Sequence, residues 1–292
     1  MMQKIIYPLI IISLSLLLYS CTENKFVEAE PQIVVEGWID AGGNPIVMLS
    51  QILPVSEQDI TDEEIRDCII TWGKVTVSDG ENEVVLTGKK SNNYFPPYIY
   101  TTSKMRGEEG KTYYLTVEYK NFYATAQTTI PPKAKIEKIV AEYKNEKYGI
   151  NAIINDNPEE KNYYKFFVRV IGRDACYLSS NFAIIDDKYH TFPCSVPIDV
   201  GKSIFYNNED LKSYEISEKD KIMIKVAQID SVIYNFWDDY KNIRELGINS
   251  FFRYSNSIRS NISGGLGYWA GYGATEYMLE PNKHNNPIEL IK

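Results

Sequence analysis

The chain has 292 residues, with 31 basic against 39 acidic side chains and a formal net charge of −8. Its length allows one large domain or two small ones. Hydrophobic residues make up 44% and charged residues 24%, which is typical of a globular protein and not of a disordered one. The acidic balance disfavours a nucleic-acid-binding protein, which needs a basic surface, and two histidines make a histidine-rich metal site improbable.

Residues 1–20 have the pattern of an export signal. Lys4 supplies a basic start, and the apolar run Ile5–Leu18 follows it. This run suits a signal peptide but is short for a membrane span, which needs about 20 apolar residues. It ends in a small serine before Cys21, like a bacterial lipobox whose cysteine is acylated and becomes the mature N-terminus. We therefore predict a lipoprotein signal peptide with lipidation of Cys21; a plain secretory signal is the alternative.

A lipid on Cys21 predicts a protein that is anchored to a bilayer and does not span it, because no later stretch of sequence is long and apolar enough. Several acyl chains on one cysteine, palmitate among them, make such an anchor stable. No aspartate follows Cys21, which favours the outer membrane over the inner membrane. Residues 21–30 then form a polar tether. The periplasmic face and the cell surface both remain open.

Three further cysteines follow, and an exported protein meets an oxidising compartment. They are Cys68, Cys176 and Cys194, so at least one has no partner within the chain. Cys176 and Cys194 lie in one segment and form the candidate disulfide, worth about 3 kcal/mol in the chain-entropy model. Three free buried thiols are the alternative.

Alternating apolar residues and turn signals predict a strand-rich first half. Six short strands are bounded by glycine, proline or Asp-Gly turns, at residues 32–40, 46–51, 74–79, 83–87, 112–120 and 123–130. No helical periodicity separates them. This pattern predicts an immunoglobulin-like β-sandwich over residues 31–130.

Two prolines, Pro131 and Pro132, cannot donate to a strand ladder, and we place a domain boundary there. The second domain, residues 131–280, is predicted to be β-rich, with strand-like segments at 136–143, 148–154, 163–171, 176–185 and 221–228. Residues 281–292 are predicted to be a flexible tail.

One segment of the second domain has helical periodicity. Apolar residues spaced three and four apart predict a single α-helix at about 229–246. Asp230 is a suitable N-cap, and Gly247 is suitable just beyond the C-terminal end. We expect the aromatic stripe of this helix to pack on a sheet as core.

Acidic residues occur in three groups that resemble reactive or metal-binding sites: residues 57–67; Asp156 with Glu159 and Glu160; and Asp186 and Asp187 with His190. The first lacks the alternating spacing of a calcium loop, and a helical turn from Asp62 to Arg66 is an equal alternative. The others lack a second cluster of ligands or bases. We interpret all three as solvated loops and turns. We predict no catalytic residue, no metal site and no cofactor.

The most distinctive segment is residues 261–273, NISGGLGYWAGYG. Its glycine spacing fits neither a phosphate-binding nor a dinucleotide-binding loop. Glycines interleaved with aromatic residues instead predict a strand with bulges. Core packing is the ordinary interpretation. The functional alternative is that Tyr268, Trp269 and Tyr272 contact a ligand or partner.

Several of these segments together resemble one known family. They are the lipobox, PQIVVEGWID, GKTYYLTVEYK, Ile130-Pro131-Pro132, Asn162-Tyr163-Tyr164 and NISGGLGYWAGYG. Over nearly the whole mature chain they resemble a Bacteroidota lipoprotein family described only as a domain of unknown function (DUF4249-like). The resemblance implies an outer-membrane lipoprotein, often encoded beside a TonB-dependent transporter, and it implies no activity.

These observations favour a non-enzymatic outer-membrane lipoprotein that binds a TonB-dependent transporter barrel, a nutrient ligand, or both. The 23 tyrosines fit a binding protein, because tyrosine gives large contact area with few torsions. A surface adhesin or structural lipoprotein that binds glycan or protein is the second hypothesis. A hydrolase is disfavoured because no nucleophile–base pair is evident in the sequence.

Overall fold

A computed structural model of the chain describes residues 32–52, 62–94, 96–134, 136–156, 159–185, 193–200, 215–245, 258–281 and 289–290. Within these ranges the protein is mainly β, as the sequence predicted, with sixteen strands and two helices. Neither helix has the length and apolar character that a membrane crossing requires. The predicted signal peptide, Cys21 and the tether lie outside the described residues, as does most of the predicted tail.

The elements follow one another in chain order as β1 (Ile33–Asp40), β2 (Ile46–Gln51), α1 (Asp62–Cys68), β3 (Lys74–Ser78), β4 (Glu83–Val85), β5 (Thr87–Lys90), β6 (Tyr98–Thr101), β7 (Thr112–Tyr119), β8 (Phe122–Thr129), β9 (Ile136–Lys144), β10 (Lys147–Ile154), β11 (Tyr163–Val170), β12 (Leu178–Ile185), β13 (Cys194–Ile198), β14 (Ile222–Ile229), α2 (Ser231–Glu245), β15 (Leu266–Leu279) and β16 (Glu289–Leu290). Each predicted strand has a counterpart among them. The sequence did not predict β6, β13 or β16, which are short, and it did not separate β5 from β4.

A nine-stranded sheet organises the chain, in the order β12-β11-β14-β15-β1-β2-β6-β5, with β16 also against β15. Its neighbouring strands are antiparallel except β1 and β15, which run parallel, with Val34 opposite Leu266 and Asp40 opposite Tyr272. A four-stranded sheet has the order β4-β3-β7-β8, and a three-stranded sheet the order β13-β10-β9.

Side-chain alternation gives the large sheet two buried faces. On one face, Val35 and Ile39 of β1 pack against the four-stranded sheet, in a core that includes Val77 and Leu115. Further along the same face, β11 and β14 pack against β9 and β10 of the three-stranded sheet. The opposite face packs against α2. Among the described residues, the large sheet therefore lies between α2 on one face and the two smaller sheets on the other.

Helix α2 confirms the predicted helix almost residue for residue. Asp230 accepts a hydrogen bond from the backbone N–H of Ile233 at 2.8 Å, which is the expected N-cap geometry. Phe236, Trp237 and Tyr240 are buried against the sheet, as expected for a core stripe. Their neighbours there include Phe167 on β11.

The large sheet crosses the domain boundary that the sequence predicted at Pro131. Residues Pro31–Lys292 form one compact unit, because β15 from the second half pairs with β1 from the first. Just after the prolines, the N–H of Ala134 donates to the carbonyl of Gly273 at 3.1 Å, so this segment runs along β15. The immunoglobulin-like topology of residues 31–130 stays a prediction.

Candidate functional site

The aromatic residues of the glycine-rich segment are core residues. Tyr268, Trp269 and Tyr272 are 4%, 0% and 1% exposed. The indole N–H of Trp269 donates to the carbonyl of Tyr113 on β7 at 3.0 Å, and the Tyr272 hydroxyl accepts from the indole of Trp237 at 3.3 Å. Because these three side chains are buried, their positions do not fit contact with a ligand or partner. They fit core packing, which was the ordinary interpretation of the sequence.

The glycines of this segment allow close backbone approach. Gly267 has φ of 111°, and a Cβ there would collide with the carbonyl oxygen of Val35 on β1. A Cβ on Gly273 would collide with the carbonyl oxygen of Pro132. The Asn261 side chain binds both the N–H and the carbonyl of Trp269, at 2.9 and 2.8 Å. The segment therefore joins the layers of the fold.

Of the acidic groups suggested by the sequence, the one at Asp156 has structural contacts in the described residues. The Asp156 carboxylate accepts hydrogen bonds from the Asn162 amide at 3.1 Å and the Tyr164 hydroxyl at 2.5 Å, which ties its turn to β11. Residues 57–61 and 186–192 lie outside the described ranges. Within those ranges, no group of three His, Cys, Asp or Glu side chains could hold a metal ion.

The predicted disulfide is not formed in the structure. Cys176 and Cys194 are both free. Cys194 begins β13 in the three-stranded sheet, opposite Ile154, whereas Cys176 precedes β12 in the large sheet. Burial raises the pKa of both thiols. Closeness in sequence did not bring them together, because their strands belong to different sheets.

The layer beneath α2 contains an unusual set of buried charged residues. Glu36, Lys165 and Lys225 are 5%, 1% and 5% exposed, and all three lie on the face of the large sheet that carries α2. Burying an ionisable side chain is costly unless it is paired and hydrogen-bonded. Buried ionisable side chains concentrate at functional sites, so this layer is a candidate functional site.

The α2 helix covers Lys165 with an aromatic ring. The Lys165 ammonium donates to the carbonyl of Ser180 at 2.8 Å and lies 4.8 Å from the centroid of the Trp237 ring. An ammonium over the negative face of an indole is attracted electrostatically. The helix therefore contacts this sheet face through cation–π contacts as well as apolar packing.

Glu36 is buried without a partner among the residues that the structure describes. It lies opposite Tyr268 on β15 and Met48 on β2, and its carboxyl makes no hydrogen bond or ion pair with a described residue. Burial raises the pKa of Glu36 from 4.5 to about 8. The carboxyl is therefore protonated and neutral at pH 7.

A second group of polar residues lies where β1 ends. β1 ends at Asp40, whereas its parallel partner β15 continues to Leu279. Beyond Tyr272, β15 is therefore no longer paired with β1. The residues of this β1-end cluster are Asp40, Tyr94, Arg169, Tyr177, Lys225 and Glu276. All but Lys225 are partly exposed. Unlike Glu36, they are accessible to solvent.

An ion pair anchors the β1-end cluster. The Lys225 ammonium lies 2.5 and 2.7 Å from the two carboxylate oxygens of Asp40. Its cation also lies 4.9 Å from the ring centroid of Tyr272 and 5.3 Å from that of Phe167. Asp40 keeps about a quarter of its side chain exposed, at 26%. The pair therefore bridges the buried layer and the surface.

The remaining members of the cluster act on one another electrostatically. Burial raises the pKa of Tyr177, and the nearby Glu276 carboxylate raises it further, while Arg169 opposes the shift. Burial and Asp40 raise the pKa of Tyr94, and Arg169 again opposes. Both phenols therefore stay protonated at neutral pH and remain hydrogen-bond donors.

No member of the β1-end cluster could be singled out from the sequence, because its six residues come from six separate segments. One pattern in the sequence did indicate the buried charged residues. Lys165 in YYKFFVRV, Lys225 in IMIKVAQI and Glu36 in IVVEGWID each interrupt a strongly apolar strand. A charge inside such a run, on a strand buried on both faces, indicates a buried polar site.

Comparison with known proteins finds one matching family model. The family model described as "Domain of unknown function (DUF4249)" matches residues 22–278. A search of curated proteins finds no match. The matched range begins directly after Cys21 and contains the polar layer beneath α2 together with the β1-end cluster.

Proposed function

We propose that this chain, which belongs to the DUF4249 family of domains of unknown function, is a non-enzymatic lipoprotein of the outer membrane that assists a TonB-dependent transporter. In this proposal Cys21 carries the lipid, and the folded unit binds the barrel, a nutrient ligand, or both. The anchor part is supported by the lipobox-like end of the export signal and by the family match, which starts at the next residue.

The ligand-binding part depends mainly on one observation, the half-buried β1-end cluster on a rigid sheet. Its charges of both signs, Asp40 and Glu276 against Arg169 and Lys225, are held on strands and not on loops. Polar groups fixed on a scaffold with partial exposure are typical of ligand sites. Because Asp40 is already paired with Lys225, a binding role suits this arrangement better than proton transfer does.

A second candidate function is adhesion to glycan or protein. The outer face of the four-stranded sheet carries Val85, Tyr114 and Tyr123, which are 54%, 45% and 62% exposed. Thr116 lies on the same face of the sheet, whereas Thr76 opposite it is buried. Exposed rings on one face of a sheet are suited to contact with a partner.

Two measurements on the full-length chain test the main proposal. With a C-terminal tag, we expect the protein in the outer-membrane fraction, and a Cys21→Ser variant released from it, while Cys68→Ser stays bound. In mild detergent, we expect a TonB-dependent barrel to co-purify in stoichiometric amount. Membrane retention of Cys21→Ser would overturn the lipid anchor. Recovery of the lipoprotein alone would overturn the transporter role and favour adhesion.

A further inference from the structure

We propose that the end of the folded unit where β1 begins docks on the headgroup region of a phospholipid bilayer. The proposal rests on the lipid-anchor part of the proposed function and extends it, because it assigns the surface that faces the membrane. This tether-end surface consists of Trp72, Lys74, Tyr119, Lys120, Phe122 and Tyr123.

The chain enters the fold at the same end. Gln32 comes directly before β1, and its carbonyl accepts a hydrogen bond from the N–H of Ile52 at 3.2 Å. Fully extended, the chain from Cys21 to Gln32 spans at most about 40 Å. A lipid on Cys21 therefore keeps this end of β1 near the bilayer. Tethering raises the effective concentration of a surface at its target, so that individually weak contacts become occupied.

Two adjacent glycines place the start of β8 beside the start of β1. A Cβ on Gly265 would lie 2.8 Å from the carbonyl oxygen of Ile33. A Cβ on Gly264 would collide with the carbonyl oxygen of Tyr123. Two backbone hydrogen bonds of 2.9 and 2.8 Å also join β8 to the segment before β15. Tyr123 is 62% exposed, so its ring lies at the surface next to the point of chain entry.

Trp72 is held at this end through its neighbours in the chain. Two residues earlier, the N–H of Ile70 donates to the carbonyl of Leu49 on β2 at 3.0 Å. Two residues later, the Lys74 ammonium lies 2.7 Å from the carboxylate of Glu118 on β7, which pairs with the start of β8. Trp72 itself is 91% exposed, so nearly the whole residue faces solvent.

The turn between β7 and β8 completes the tether-end surface. Tyr119 and Phe122 pair in register, and their rings are stacked with centroids 6.5 Å apart. Both rings are partly buried against the core between the sheets. Lys120 in the turn is exposed, and its ammonium lies 5.0 Å from the centroid of the Tyr119 ring. Aromatic and basic side chains therefore meet at one end of the protein.

These side chains have the chemistry of a membrane–water interface. Tryptophan and tyrosine favour the headgroup level, because one part of the ring is apolar and the other forms hydrogen bonds. A lysine beside them extends its ammonium towards the phosphates. In the part of the chain that the structure describes, Lys120 forms no ion pair, so its charge is available to a phosphate.

Docking by this end orients the rest of the protein. β1 has eight residues, so Asp40 lies about 25 Å from Ile33 along the strand. The β1-end cluster is therefore held away from the bilayer and stays open to solvent. The surface that faces the membrane and the candidate ligand site consequently lie at opposite ends of β1.

Vesicles with an artificial anchor test the docking without requiring lipidation in the cell. The probe is a vesicle of phosphatidylethanolamine and phosphatidylglycerol that contains a nickel-chelating lipid and a lipid spin-labelled near its headgroup. The chain from residue 22 to residue 292 carries a histidine tag at one terminus or the other. A C-terminal tag presents the opposite end of the sheet, because β16 pairs with the far end of β15. Vesicles without the spin label give the reference emission.

We expect the spin label to quench tryptophan emission when the anchor is N-terminal, and this quenching to be lost in Trp72→Phe. Trp38→Phe, which removes a tryptophan further along β1, keeps it. Tyr123→Ser is expected to weaken the quenching several-fold, since an interfacial ring is lost. Tyr114→Ser, further along the same sheet face, is the matched control and leaves it unchanged. A C-terminal anchor is expected to give no quenching of Trp72.

Circular dichroism checks that each variant folds, and Tyr123→Ser decides the matter if Trp72→Phe does not. No quenching with the N-terminal anchor, equal quenching with both anchors, or quenching that survives in Trp72→Phe would overturn the proposal. Absence of quenching here, with Cys21→Ser still released from membranes in cells, would refute this surface alone. Quenching here, with Cys21→Ser retained in membranes, would leave the surface standing while the lipid anchor fails.

Discussion

Lys225 bypasses its register neighbour Glu276 and reaches Asp40, so that its ammonium lies 2.5 and 2.7 Å from the two oxygens of Asp40. The contact joins β14 to β1 across the intervening strand β15. It links residues 185 apart in the sequence. The two halves of the chain are thus joined by a side-chain ion pair as well as by the parallel pairing of β1 with β15.

Breaking this ion pair should destabilise the fold. In Asp40→Asn the Lys225 ammonium stays buried without its carboxylate, and we expect a loss of about 2 kcal/mol in the free energy of unfolding. Glu118→Gln is the matched control, because the Lys74–Glu118 pair is exposed and its loss should change the free energy of unfolding little. Urea unfolding measures both. Equal, small effects in the two variants would contradict the buried character of the pair.

Glu36 should make stability depend on pH. The folded state holds the Glu36 proton more tightly than the unfolded chain, because burial raises its pKa from 4.5 to about 8. Stability is therefore expected to fall as pH rises between these values, by about 1.4 kcal/mol for each unit. Glu36→Gln should remove this slope and be more stable than the native chain at pH 8. Thermal unfolding from pH 5 to 9 gives the comparison; identical slopes in the two proteins would refute the assignment.

Gly267 should be intolerant of a side chain. Gly267→Ala meets both a φ of 111° and a collision with the carbonyl oxygen of Val35, and we expect a loss of several kcal/mol or failure to fold. Gly80→Ala isolates the conformational part, since Gly80 has φ of 91° and open space around its Cβ position. That control should lose only about 1 kcal/mol. Comparable losses would mean that close packing of β15 on β1 is unimportant.

Cys176 and Cys194 should react as slow, free thiols. In the folded protein we expect alkylation to be slow at pH 8, because burial raises the pKa of both thiols and lowers the thiolate fraction. After unfolding without reductant, both should be labelled fully, as read by mass spectrometry. A sample reduced beforehand is the control. Labelling only after reduction would restore the disulfide that the sequence suggested.

Much of the local structure was predictable because it depends on neighbouring residues. The period-two alternation of KVTVS and TYYLTVEY predicted β3 and β7, and the three-and-four spacing around Phe236 predicted α2 with its cap at Asp230. Short strands such as β6 and β13 lack enough residues to display a period. Their existence depends on the strands that pair with them.

The candidate site was not predictable in the same way. The aromatic segment around Trp269 is locally conspicuous in the sequence, but the structure buries it. The β1-end cluster consists of ordinary residues such as Arg169 and Glu276, which become a site only when β11 and β15 are placed in one sheet.

The sequence by itself determined that the protein is mainly β, that it has one long amphipathic helix and to which family it belongs, and it predicts an export signal. Tertiary structure alone decided that β15 pairs with β1, that one sheet crosses the Pro131 boundary and that Cys176 and Cys194 stay apart. The physical reason is range. Propensity, capping and periodicity act between residues a few positions apart, whereas strand order and charge pairing depend on contacts between residues that the sequence separates.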